Sequence, residues 1–355
     1  MNRKKHPAEQ PTEQPTEQAG SKSQAPPPYI AKEVSFLSKS GNMELNGTLT
    51  IPEGPGPFPG VVLITGSGAH NRDEKIFRHR PFWEVADLFT RSGIAVLRYD
   101  DRHYKRPTRE GLQHTADDFA QDGLGALAYL QQQPGIDSRQ IGMLGHSEGG
   151  LVAAMAASAE PQVAFVISIA GPGIRGAEIV ADQAQTFATR VQDAELTQRW
   201  LSLMVEEPDA QRRAQLYRKL HREEYGRLRL FKNLIMRLSL PTLSSPWYYR
   251  LCCSDPVKYW QQVSCPVLAL FGEHDTQVCA EKNSAAITNA LQKSPCQDYT
   301  VQIIPEANHL FQIVPDGKVS STRALQKQYA STNSAFPPQV LKPIAEWIQE
   351  RTHGQ

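Results

Sequence analysis

The 355-residue chain has no apolar run near the roughly 20 residues that a membrane-spanning helix needs. Its longest, Val163–Ala170 and Pro266–Phe271, are strand-sized. An excess of one charge is also missing. Lys plus Arg number 38 and Asp plus Glu 37, a net charge of +1, so the basic surplus of a nucleic-acid binder is absent. Cysteines are few. The five are odd in number, none forms a C-x-x-C pair, and Cys252 and Cys253 are adjacent, a poor geometry for bridging each other. Free thiols in a reducing compartment are therefore expected. No apolar stretch follows Arg3, Lys4 and Lys5, so no cleavable secretory signal is read in the sequence as given, and a cytoplasmic location is expected. Apolar residues at 40% and charged residues at 21% are ordinary for a globular protein.

What is present divides the chain into four parts. Residues 1–28 are low in complexity, with three Pro-x-Glu-Gln tetrads from Pro7 to Gln18 and then Pro26, Pro27 and Pro28. They hold too little apolar surface to fold, and a disordered tail is expected, whether or not it carries a proline-dependent docking motif. From Tyr29 to about residue 173, and again from 263 to 352, the texture is that of an α/β core. Leu45, Leu49 and Ile51 alternate with Glu44, Asn46 and Thr48, as in a half-buried antiparallel strand. Short continuous apolar runs follow: Val61–Ile64, Ile94–Leu97, Ile141–Leu144, Val163–Ala170, Val267–Phe271 and Val301–Ile304. Such runs suit strands buried on both faces. Helical patterns at Pro81–Thr90, Ala116–Gln131 and Gly149–Ala157 alternate with them, which predicts a mostly parallel sheet covered by helices. The exception is about Ile174–Gln262, helical throughout. Inserted between two strands, it reads as a cap over the sheet's carboxyl edge, where ligands bind in open α/β sheets. Between Arg212 and Arg237 it carries nine Lys or Arg against two Glu, either a solvated helical face or a surface for an anionic substrate.

Gly145-His146-Ser147-Glu148-Gly149 fits G-x-S-x-G. Alone the pattern is weak, but a buried strand precedes it and Gly150–Ala154 opens a helix after it. A sharp strand-to-helix turn lifts a serine hydroxyl into a cleft, and the glycines at 145 and 149 avoid side-chain clashes. A serine needs a base. His309 lies just beyond Val301–Ile304, past Pro305-Glu306-Ala307-Asn308, at a strand's carboxyl end. His146 sits inside the elbow with its side chain expected to turn away from Ser147, and His274 neighbours a better-placed carboxylate. That carboxylate, Asp275, leaves the end of Val267–Phe271, with Glu273 and Glu306 as alternatives. An Asp there can hold the imidazole in the tautomer that accepts the serine proton. An oxyanion hole needs two N–H groups. Glu148 supplies one, and the loop Thr65-Gly66-Ser67-Gly68 the other, through Ser67 or its neighbour Gly68. That loop lacks the G-K-[ST] of a P-loop and the spacing of G-x-G-x-x-G.

These stretches, with Arg72-Asp73-Glu74, Tyr99-Asp100-Asp101-Arg102 and Asn308-His309-Leu310-Phe311-Gln312, resemble the bacterial carboxylesterase group of the α/β-hydrolase superfamily, related to dienelactone-hydrolase and acyl-peptidase-like enzymes. The resemblance spans about residues 40–350 and is weakest in the cap. It implies Ser147 as nucleophile, His309 as base, Asp275 as acid and a small-molecule ester as substrate, with neither metal nor organic cofactor. An acyl-CoA thioester or a peptide is the alternative substrate, and a non-catalytic binding scaffold on the same fold is the remaining alternative. One stretch departs: where relatives have a glycine-rich turn after Asp-Asp-Arg, this chain has His103-Tyr104-Lys105-Arg106-Pro107, so that loop must take another path. Arg72, Asp73 and Glu148 either form ion pairs that stiffen the oxyanion loop or face the substrate. Trp200, Trp247, Tyr248 and Tyr249 either line a roofed cleft or fill the cap's own core. Nothing in the sequence sets an oligomeric state.

Overall fold

Apolar runs with no polar face need cover on both sides, and the sheet provides it. The computed structural model describes residues 28–106, 108–188, 191–225, 238–331 and 333–352. The Pro-x-Glu-Gln tetrads, Pro107 and the second half of the basic stretch lie outside them. The strands are β1 (Tyr29–Leu37), β2 (Glu44–Pro52), β3 (Phe58–Ile64), β4 (Ala95–Tyr99), β5 (Ile136–His146), β6 (Val166–Ile169), β7 (Val267–Gly272) and β8 (Tyr299–Ile304). They form one sheet in the order β1-β2-β4-β3-β5-β6-β7-β8. β2 pairs antiparallel with both β1 and β4, and every pairing from β4 to β8 is parallel.

The period of two divides each central strand between two cores. Val62 and Ile64, Leu97, Ala269 and Phe271 enter one hydrophobic cluster. Val61 and Leu63, Val96, Leu268 and Leu270 enter the other. Helices α3 (Ala116–Gln131) and α4 (Glu148–Ala159) cover the first face, and α1 (Pro81–Arg91) covers the second. A four-residue turn, α2 (Thr108–Gly111), lies between α1 and α3. Between β6 and β7 the described elements are all helical: α5 (Gly176–Phe187), α6 (Val191–Val205), α7 (Ala210–Tyr225), α8 (Pro246–Cys253) and α9 (Val257–Trp260). α10 (Ala280–Leu291), α11 (Thr322–Tyr329) and α12 (Pro338–Thr352) follow, with α12 joining α1 on the second face.

Two expectations change. Val301–Ile304 is not buried on both faces. β8 is the edge strand, and Ile303 is 37% exposed. The basic stretch is not a uniformly solvated face either, because Arg213 is buried. Its guanidinium donates to the carbonyls of Glu207, Pro208, Ser244 and Ser245 and lies over the Tyr249 ring. All five cysteines are free, with Cys252 and Cys296 buried. Among the described residues no helix is long and apolar enough to cross a membrane.

Candidate active site

Four loops meet at the carboxyl ends of β3, β5, β7 and β8. The register pairs Ile64 with Gly145, so the loop after β3 lies beside the turn after β5. At that turn Ser147 has φ 53° and ψ −122°, the left-handed side of backbone space that a side chain rarely adopts. Its N–H donates to the Ile169 carbonyl at 2.8 Å, and α4 starts at the next residue. A Cβ on Gly145 would lie 2.0 Å from the Gly149 oxygen, and one on Gly149 would lie 2.2 Å from the Ile64 oxygen. Backbone occupies both places, so both positions require glycine.

Asp275 is 2% exposed and His309 5%. Asp275 Oδ1 accepts from the Gln277 and Val278 N–H groups at 2.7 and 2.9 Å, which fixes the carboxylate. Its Oδ2 is 2.7 Å from His309 Nδ1. A carboxylate can only accept, so Nδ1 carries the hydrogen and Nε2 is left able to take a proton. Ser147 and His309 line one cavity of about 470 Å³, together with Ser67, Glu148, Trp247 and Tyr248. Its apolar wall includes Leu151, Ile179, Val180, Leu251, Val278 and Leu310.

The N–H groups of Ser67 and Glu148 have no protein acceptor among the described residues. Their side chains are tied together: Ser67 Oγ donates to Glu148 Oε2 at 2.8 Å, and Trp247 Nε1 donates to the same oxygen at 3.3 Å. Burial pushes the Glu148 carboxyl above its ordinary range. The loop is braced from behind by Asp101, which accepts from Thr65 Oγ1 at 2.6 Å and from the His70 N–H at 2.7 Å. Burial raises the Asp101 carboxyl well above the usual carboxylate range. Gly68, the neighbouring oxyanion candidate, has φ 120° and lies outside the cavity wall.

Other expected residues fall elsewhere. Arg72 is outside the cavity wall and holds Asp100, Glu33 and Thr48. Asp73 pairs with Arg80 and Arg98. Trp200 is 1% exposed and packs with Leu196, Leu201, Met204 and Leu220 inside the helical segment. Tyr249 lies against Arg213, also away from the cavity. His274 Nδ1 donates to the Val314 carbonyl at 2.9 Å, and Glu273 accepts from the Glu306 N–H. In the departing loop His103 is buried and stacks on Phe119, with ring centroids 5.6 Å apart, and Lys105 takes φ 62°. The residue that sequence reasoning missed is Glu74. It is fully buried, touches the cavity, accepts from the Gly66 N–H at 2.7 Å and lies 2.9 Å from His146 Nδ1. Its one signal was its place beside Arg72 and Asp73, and charges in a loop ordinarily face solvent.

Esterase EstD of Thermotoga maritima is 27% identical over 323 residues, 91% of this chain and 69% of the relative. Thiohydrolase aneE of Aspergillus aculeatus is 34% identical over 140 residues, 39% of this chain and 40% of the relative. A solved Pyrococcus furiosus esterase superposes with a TM-score of 0.54 at 16% identity, covering 92% of each chain. A sequence model of the alpha/beta hydrolase family matches residues 61–320, and the chain belongs to that family of hydrolases.

Proposed function

We propose that the protein is a serine carboxylesterase that cleaves short-chain acyl esters through an acyl-enzyme. Ser147 Oγ attacks the acyl carbonyl while His309 Nε2 takes the hydroxyl proton. Asp275 holds the Nδ1–H and stabilises the imidazolium. The Ser67 and Glu148 N–H groups receive the oxyanion. His309 returns the proton to the leaving alcohol, then takes one from the water that attacks the acyl-enzyme. As the resulting tetrahedral adduct collapses, the Ser147 Oγ–acyl bond breaks and His309 returns that proton to Ser147 Oγ, which frees the acid and restores the enzyme.

The observation that carries this reading is the 2.7 Å contact of His309 Nδ1 with a doubly anchored Asp275, on a wall shared with Ser147. The similarity to an esterase over most of the chain supports an ester as substrate. A thioester is the second reading, favoured by the match to a thiohydrolase over 140 residues. The chemistry is the same with a thiolate leaving group. Ser147→Ala should lower kcat by about 10³-fold or more and abolish labelling by a fluorophosphonate probe. Full ester turnover by that variant would overturn the assignment. Fast turnover of acyl-CoA beside weak turnover of p-nitrophenyl acetate and butyrate would favour the thioester.

A further inference from the structure

We propose that Glu74 and His146 form a buried ion pair that holds three catalytic loops in register, acting as positioning residues behind Ser147, His309 and the oxyanion N–H groups. The inference rests on the roles assigned to those groups above.

The geometry is specific. His146 Nε2 lies 3.0 Å from the His309 backbone oxygen. A carbonyl only accepts, so Nε2 carries a hydrogen. Nδ1 lies 2.9 Å from Glu74 Oε1, an atom that already accepts the Gly66 N–H at 2.7 Å. An oxygen that accepts twice is best served by an ionised carboxylate, which makes His146 an imidazolium donating from both nitrogens. Burial opposes both charges. The charge and hydrogen bond of each partner answer it, holding the Glu74 carboxyl below its ordinary range and the His146 ring above its own. Asp275 and the His309 carbonyl add to the pull on His146, His70 draws the Glu74 charge, and the Phe336 edge closes the remaining side. Glu74 Oε2 has no partner among the described residues, so the stabilisation comes through Oε1.

Each bond has a mechanical consequence. Glu74 Oε1 fixes Gly66, next to the Ser67 N–H. His146 Nε2 fixes the backbone of His309, and its ring centroid is 4.9 Å from the His309 ring. His146 itself immediately precedes Ser147. Glu74 reaches its place from a backbone at φ 50°, a conformation that the surroundings must hold against its cost. Loss of the charge on either partner therefore loosens the oxyanion donor and the base together, the groups whose placement matters most in the transition state.

Glu74→Gln keeps an acceptor for Gly66 and removes the charge. The expected result is a fall in kcat of about tenfold or more with KM within about threefold, because positioning rather than substrate binding is lost. As pH rises, the variant should lose activity at a lower pH than the wild type, since His146 then gives up its second proton more readily. In the wild-type protein at neutral pH, nitrogen-15 NMR should show both ring nitrogens of His146 protonated. A variant with wild-type kcat and pH profile, a change in KM alone, or a single protonated nitrogen on wild-type His146 would each overturn the inference. The NMR measurement needs neither turnover nor a folded variant. Failure of the hydrolase reading shows separately, as ester turnover that survives Ser147→Ala.

Discussion

At the scale of the residue, the strongest constraints come from atoms that are missing. The two glycines flanking Ser147 stand where backbone from β3 and α4 leaves no room for a Cβ. Gly145→Ala should therefore cost about 3 kcal/mol or more, at or above the upper end of ordinary overpacking, because the obstructing atoms are backbone and cannot rotate away. A urea midpoint and an ester rate both unchanged from wild type would refute this. The same sterics made Ser147 readable from sequence, since few other contexts demand Gly-x-Ser-x-Gly between an apolar strand and a helix. Asp275 and His309 were readable because each follows a strand signal within a few residues. Glu74 was not. Its place is set by the backbone at Gly66 and by His146, 72 residues away in sequence, and no local pattern marks a loop carboxylate as interior. Arg72 shows the converse: of its two readings, ion pair or substrate contact, it takes the first, pairing with Asp100 and Glu33.

At the scale of the element, the parallel strands followed from their continuous apolar runs, and β8 failed because the pattern does not say which strand ends the sheet. β1 carried no signal of its own, and six of its nine residues are exposed. The helices between β6 and β7 were legible as helices but not by face. Leu196 and Trp200 share one face at a spacing of four and pack inward, whereas Trp247 and Tyr248 on α8 reach the cavity. Spacing places residues on a common face without saying which of two apolar surfaces that face meets. α5 contributes Ile179 and Val180, and α8 Leu251, so these helices bound the space left for an acyl chain. Each methylene that fits should raise kcat/KM by about fourfold, from about 0.8 kcal/mol of burial. Once the cavity is full, overpacking costs about 1–3 kcal/mol. Rates measured from acetate to palmitate should rise over a few carbons and then drop, and Trp247→Ala should move the drop to longer chains. A flat or rising profile to palmitate would mean that these helices leave the cleft open.

At the scale of the whole molecule, a net charge of +1 hides a heavily charged interior. Arg102 and Asp122 pair at 2.6 Å with both side chains 2% exposed, Glu74, Glu148 and His146 are buried at the cavity, and Asp101 is half-buried behind the loop after β3. Exposed pairs such as Arg106–Glu110 contribute little by comparison. The buried groups make stability depend on pH in a definite direction. Asp101 and Glu148 are raised by burial, so the folded state holds their protons where the unfolded chain, with carboxyls near ~4, has released them. Their contribution is complete below that unfolded value and is lost as pH rises toward the folded one. His146, raised by its partners against the opposing effect of burial, adds stability that is full below its ordinary 6.5 and fades as pH climbs through its folded value. Glu74, lowered, works the other way, contributing above its ordinary 4.5 and failing only in stronger acid. Asp122, raised by burial, joins Asp101, Glu148 and His146 in favouring the acid side of neutrality, while Glu74 guards against acid and His103, lowered by burial, opposes them, its contribution full above its ordinary 6.5 and lost as pH falls through its folded value. The larger set places greatest stability on the mildly acidic side of neutral pH. Urea unfolding at pH 5.5 should give a higher midpoint than at pH 8. Asp101→Asn, whose amide oxygen can accept from the His70 N–H while its NH2 donates to the Thr65 hydroxyl, cannot ionise and should flatten part of that slope. An equal or higher midpoint at pH 8 would show that these carboxyls are ionised in the folded protein, and that water or rearrangement solvates them where this structure leaves them dry.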